Sequence, residues 1–197
     1  MQDATKTTLA DLMKADSTQV NPLLANSVDE VVDVSETSTQ SLTPPRIGQY
    51  WSGQGGIYAG IMRDGENQWC LILAAKEQGL IDTNWGKPGE TIPGEFSRRD
   101  GQHNTALILA AEPFNEIATY ITAIEIDGHR DFYWPSQCEN NLLFANLPEH
   151  LNREWHWSST QYSARYAWDQ YFEDGDQGVL NKDGSLAARA VRRLVIE

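Results

Sequence analysis

The chain is short of several things, and each shortage narrows its chemistry. Two cysteines, Cys70 and Cys138, occur in 197 residues, which excludes a disulfide framework or a Cys-rich metal centre and leaves at most one bridge. Cys70 sits in the apolar run Trp69–Ala75, so the pair reads as two reduced, partly buried thiols. No Trp, Tyr or Phe precedes Tyr50, and the first ~49 residues therefore lack the large side chains that stabilise a core. No stretch approaches the ~18 apolar residues of a membrane span. Met1-Gln-Asp-Ala-Thr-Lys6 has no basic start leading into a long apolar run, so no ordinary secretory signal is expected. Lys and Arg number 15 against 28 Asp and Glu, a net charge of −13. That balance disfavours nucleic acid and anionic membrane surfaces, whose binding needs clustered cations.

Catalytic and metal motifs are also missing. Gly53, Gly55 and Gly56 are not followed by Gly-Lys-Ser/Thr, so they read as a tight approach or bulge. No Gly-x-Ser-x-Gly elbow is present. His103, His129, His150 and His156 neither pair at i, i+4 nor neighbour a cysteine, so no metal site is assigned to them. Asp174-Gly-Asp176-Gln-Gly178 resembles a calcium loop but lacks the later acidic ligands, and reads as a turn. No catalytic residue, cofactor or metal is expected.

What is present divides in two. Residues 1–46 form an expected extended arm, with a short helix start at Thr8-Leu-Ala-Asp11, a β-prone string at Val28–Val34 and the double proline Pro44-Pro45 as boundary. Residues 47–197 form the globular part. Ile57–Met62 and Trp69–Ala74 flank Arg63–Asn67 as a hairpin. Gly79–Gly101 reads as irregular, with Trp85 and Phe96 as anchors. Asn104 is expected to cap a helix through Ala111. Pro113 opens another, with Phe114, Ile117, Ala118, Ile121 and Ile124 on its apolar face. Ser136 and Glu139 form a capping box before Leu142, Leu143 and Phe144. Strands are expected at Trp155–Ser159, Ala167–Phe172 and Ala187–Ile196. The pattern is α+β, with antiparallel strands and two short helices.

The densest aromatic stretch is Trp155–Phe172. Trp134, Trp157 and Trp168 are assigned to the core. The candidate binding surface is Gln161, Tyr162, Arg165, Tyr166, Asp169 and Tyr171, because Trp and Tyr beside amide and charged side chains stack on sugars or anchor protein interfaces.

Three blocks carry a family resemblance: Asp100-Gly-Gln-His-Asn-Thr105; Asp131-Phe-Tyr-Trp-Pro-Ser-Gln-Cys-Glu-Asn-Asn-Leu-Leu-Phe144; and Trp157-Ser-Ser-Thr-Gln-Tyr-Ser-Ala-Arg-Tyr-Ala-Trp168 with Arg189-Ala-Val-Arg192. In this order they resemble the Lcl C-terminal domain family, over residues 47 to the C-terminus. The resemblance implies a C-type-lectin-like fold and a non-enzymatic, adhesin-type ligand-binding role. The calcium motif of animal lectins is not reproduced by Glu112-Pro-Phe-Asn115, and the C-terminal cysteines of formylglycine-generating enzymes are missing. Adhesin-type recognition without an expected export signal points to a phage or prophage virion protein recognising a host-surface glycan or protein, docked on a virion component through its arm. It would reside in the virion or the producing cell's cytoplasm, without membrane insertion. The alternative is a structural or assembly protein whose aromatic surface makes intersubunit contacts, including homo-oligomeric ones.

Overall fold

The computed structural model describes residues 43–196. Most of the expected arm, including the helix start at Thr8 and the string Val28–Val34, lies outside the described residues. The chain then builds two sheets. Strands β1 (Tyr50–Trp51), β2 (Gly56–Asp64) and β3 (Asn67–Leu73) run antiparallel, with the expected hairpin turning at Gly65-Glu66. A single helical turn, α1 (Lys76–Gly79), leads to β4 (Leu80–Asn84). Helices α2 (Gly101–Ala111), α3 (Glu116–Thr122) and α4 (Gln137–Asn146) follow, and a 3-10 turn at Pro148–His150 ends the helical part. Strands β5 (Trp155–Gln161), β6 (Tyr166–Tyr171), β7 (Gln177–Asn181), β8 (Ser185–Arg189) and β9 (Val191–Val195) complete the fold. The first sheet is ordered β1-β2-β3-β9 and the second β4-β8-β5-β6-β7.

The architecture is α+β, as the sequence pattern indicates, with differences in detail. There are four α-helices among the described residues, not two. β4 and β7 were not expected, and β5 and β8 pair in parallel at His156 and Ala187. The single strand expected over Ala187–Ile196 is two strands in two sheets. The switch occurs at Ala190, whose carbonyl accepts from Ala74 N and whose N–H donates to Gly79 O. α1 interrupts the partner chain at that point, so β8 follows β4 and β9 follows β3.

Helix starts depend on caps. α2 is capped by Asp100, whose side chain accepts from His103 N. Asn104 is instead buried inside that helix, where its Oδ1 accepts from Ser97 N (2.8 Å) and its Nδ2 donates to Ser97 O (2.6 Å). α3 is capped by Asn115, two residues beyond Pro113. Ile117, Ala118, Ile121 and Ile124 are buried as expected, but Phe114 stands outside the apolar face in solvent. The Ser136/Glu139 capping box forms. Leu143 behind it is buried, with Leu142 and Phe144 packed at the edge of that core.

The three sequence blocks prove to be one hydrogen-bonded unit. Glu139 is fully buried and accepts from Ser136 N (2.8 Å), Gly101 N (3.0 Å) and Tyr133 Oη (2.6 Å). Burial raises its pKa, and the bonds from Ser136, Tyr133 and Gly101 oppose that rise. Gly101 has no room for a side chain, since a Cβ would lie 2.6 Å from both Glu139 Oε2 and Ser136 N. Ser159 N donates to Pro135 O and Gln137 N to Thr160 Oγ1, tying the third block to the second. Trp134 Nε1 donates to Trp157 O. The closing Arg residues are buried too. Arg189 bonds His150 O and Ala74 O, and Arg192 holds Asp131 and Gln54. These donors meet acceptors, apart from Arg189 Nε, which has no partner, and that pairing is why polar residues can occupy these interior positions.

Candidate functional surface

The β5–β6 hairpin carries the candidate surface. Its register runs Trp155↔Tyr171, His156↔Gln170 and Trp157↔Asp169, then shifts before Gln161↔Ala167. The connecting residues 162–165 fold into a closed turn. Tyr162 N and Ser163 N both donate to Tyr166 O (3.0 Å each). Ser163 Oγ accepts from Arg165 N (3.3 Å) and Tyr166 N (3.2 Å), the local side-chain-to-backbone bonding that serines favour in turns.

Neighbouring segments fix this turn from beneath. Gly89 N donates to Ala164 O (3.0 Å), and Lys182 N to Arg165 O (2.9 Å). Gln161 clamps the loop before α2, accepting from Ile92 N (3.0 Å) and donating to Ile92 O (3.0 Å). Gln161 Oε1 also accepts from Lys182 Nζ (2.7 Å), which donates in addition to Glu90 O (3.1 Å) and lies 4.6 Å from the Trp85 ring centre. The Lys182 side chain is buried, and desolvation lowers its pKa to about 8, against the attraction of Glu112. An amide oxygen, a carbonyl and an aromatic face thus solvate a buried ammonium. Read as sequence, Lys182 is one residue of the turn Asn181–Gly184; its role depends on three segments meeting in space.

The six expected site residues separate into groups. Tyr162, Arg165 and Tyr166 are exposed at the turn, Tyr162 58% and Tyr166 39%. Tyr162 meets Trp168 edge-on, with centroids 5.5 Å apart. Trp168, expected in the core, is half-buried, and the Arg98 guanidinium covers it at 4.9 Å. Arg98 is positioned by its Nε bond to Gln137 Oε1 (2.6 Å). Trp168 and Arg98 thus extend the exposed aromatic and cationic strip. Trp134 and Trp157 are fully buried as expected.

Gln161 and Asp169 face inward. Gln161 is half-buried in the clamp just described, and Asp169 is only 5% exposed. Asp169 Oδ1 has no hydrogen-bond partner, and burial raises the pKa to about 6 against the backbone N–H groups of Asp169 and Gly178. Gly178 leaves the space that this oxygen uses, since a Cβ there would lie 2.8 Å from it. Tyr171 lies at the far end of the hairpin. It stacks on Trp155 with centroids 5.1 Å apart and planes at 23°, and its hydroxyl donates to Glu173.

Beside the turn an open cleft of about 540 Å³ runs between the loop after β4 and the corner joining α2 to α3. Lys87, Glu90, Glu112, Phe114, Glu116 and Asp183 are among its lining residues. Its carboxylates are spread out, and among the described residues no three His, Cys, Asp or Glu side chains converge as metal ligands. The histidines serve the backbone: His103, His129 and His150 bond the carbonyls of Glu95, Gly53 and Gly48. His156 is buried against Phe172, and desolvation lowers its pKa to about 4. Cys70 and Cys138 are both free thiols, and burial raises the pKa of each. Among the described residues no helix is long and apolar enough to cross a membrane.

The chain matches no protein-family model, and no curated protein shows significant similarity to it.

Proposed function

We propose that the chain is a non-enzymatic binding module with a C-type-lectin-like fold, of the Lcl C-terminal domain kind. In this reading it is displayed on a phage or prophage particle and recognises a host-surface glycan or protein through Tyr162, Arg165 and Tyr166. The observation that carries the proposal is a turn whose exposed side chains are two tyrosines and an arginine, while its backbone is hydrogen-bonded within the hairpin and to Gly89 and Lys182. Rigid aromatic side chains with polar tips bury much surface on binding and lose little conformational freedom, which suits a recognition surface. The inward Gln161, Lys182 and Ile92 bonds support the turn without offering groups to a ligand. Residues 1–46 are the proposed attachment to a virion component.

Glycan-array and host-cell binding by the full chain, compared with Tyr162→Ala and Tyr166→Ala, tests the surface. Each substitution is expected to weaken binding at least tenfold without changing stability. Equal binding by all three proteins removes the turn from the site. One observation favours the alternative reading, in which the domain decorates a particle. Trp155 with its stacked Tyr171, and Leu180 on the same face of the edge strand β7, are a second group of exposed apolar side chains. Loss of particle incorporation on Trp155→Ala, with host-cell binding retained, would support it.

A further inference from the structure

Helix α2 has unpaired groups of opposite charge at its two ends. Near its start, Arg63 of β2 and Arg99 line one cavity of about 390 Å³ together with Gly65. Arg99 Nη1 donates to Arg63 O (3.2 Å), which holds the two basic residues side by side. Neither guanidinium is in an ion pair among the described residues. Such a pairing of like charges is unexpected on a chain with 28 acidic and 15 basic residues. Gly65 leaves one wall without a side chain, since no heavy atom lies within 4 Å of the position a Cβ would take.

Just past the other end of α2, Phe114 stands 95% exposed between Glu112 and Glu116. Both carboxylates are held in place. Glu112 Oε2 accepts from Asn115 Nδ2 (3.2 Å), and Glu116 Oε2 accepts from the Thr83 hydroxyl (2.7 Å). Neither carboxylate is in an ion pair among the described residues, although Lys182 attracts Glu112 from a distance. At a rise of about 1.5 Å per residue, the helix between these features is roughly 17 Å long, so they cannot neutralise each other within one molecule.

We propose that they meet between two copies of this chain. The Glu112–Phe114–Glu116 corner of one copy enters the Arg63–Gly65–Arg99 cavity of the next. The carboxylates pair with the guanidinium groups, and the Phe114 ring lies against them. Carboxylate–guanidinium hydrogen bonds and a cation over an aromatic face are the two strong contacts that these residue types make. The two surfaces differ, so the contact is head-to-tail. Each added copy leaves one corner and one cavity free, and assembly continues to a closed ring or an open chain. None of Tyr162, Arg165 and Tyr166 takes part, so this inference stands or falls separately from the proposed function.

Sedimentation velocity on the full 197-residue chain, at increasing protein concentration and in low and high salt, tests it. One variant carries Phe114→Ala and Glu116→Gln, the other Arg63→Glu and Arg99→Glu. All four side chains are exposed, and circular dichroism checks that both variants fold. The wild type should assemble with concentration and dissociate in high salt, where exposed charges are screened. Each variant alone should remain monomeric, and their equimolar mixture should form a dimer and stop there, because only one complementary pair survives. A wild type that stays monomeric at every concentration overturns the proposal, and so do variants that assemble as the wild type does. A mixture that remains monomeric, or that grows past the dimer, overturns it equally.

Discussion

Asp169 offers a test that separates structural from binding roles within the hairpin. Its carboxyl lies on the same face of the second sheet as Trp157, with one oxygen lacking any partner, and burial lifts its pKa from 3.8 to about 6. Between about pH 4 and pH 6 the folded chain therefore holds a proton that the unfolded chain has released. Because the folded state binds more protons in that window, stability falls as pH rises through it and levels off above the folded pKa. A shift of about two units corresponds to about 3 kcal/mol at most, at roughly 1.4 kcal/mol per unit. Asp169→Asn removes the titration and nearly preserves the shape. Any cost of placing the amide there is constant with pH and drops out of the slope. Urea denaturation of both proteins at pH 4, 5, 6 and 7 should show the variant gaining about 2–3 kcal/mol on the wild type across the series. For a protein of this size that is on the order of 5–10 °C in melting temperature. A stability difference that stays flat, or that moves the other way, would refute the assignment of Asp169 as a buried carboxyl held against its preference for water.

Other substitutions probe the supports of the surface. Gly101→Ala would drive a Cβ into Trp134 O, Glu139 Oε2 and Ser136 N, and should destabilise the fold by more than about 3 kcal/mol or prevent it from forming, read by chemical denaturation. Lys182→Met removes the bonds to Glu90 O and Gln161 Oε1. Amide exchange should then quicken in residues 85–95 and 161–165 and stay unchanged in the β2–β3 hairpin; uniform protection in both regions would contradict the clamp.

The parts of the fold legible in the sequence are those set by local rules. The β2–β3 hairpin follows from two apolar runs around a Gly turn, and α4 from its capping box. The parts that were not legible depend on partners far along the chain. β4, Leu80-Ile-Asp-Thr-Asn84, sits in a Gly- and Pro-rich stretch and is a strand because β8 lies beside it. The break at Ala190 cannot be seen in Ala187–Ile196 itself, since it arises where α1 interrupts the facing chain. Asn104 and Lys182 resemble a cap and a turn residue locally, and each is buried by segments that join only in three dimensions. At the candidate surface, composition pointed to the β5–β6 hairpin. Whether a residue faces outward was set by the register shift between Trp157 and Gln161 and by the Gly178 notch. These turn Gln161 and Asp169 inward and leave Tyr162, Arg165 and Tyr166 outside.

The central claim is that this turn is the recognition surface, and binding of the full chain to the host cells or glycans that retain it tests that claim most directly. Tyr162→Ala combined with Tyr166→Ala should abolish binding, while Asp169→Asn should leave it intact. Undiminished binding by the double variant, at unchanged stability, would contradict the account.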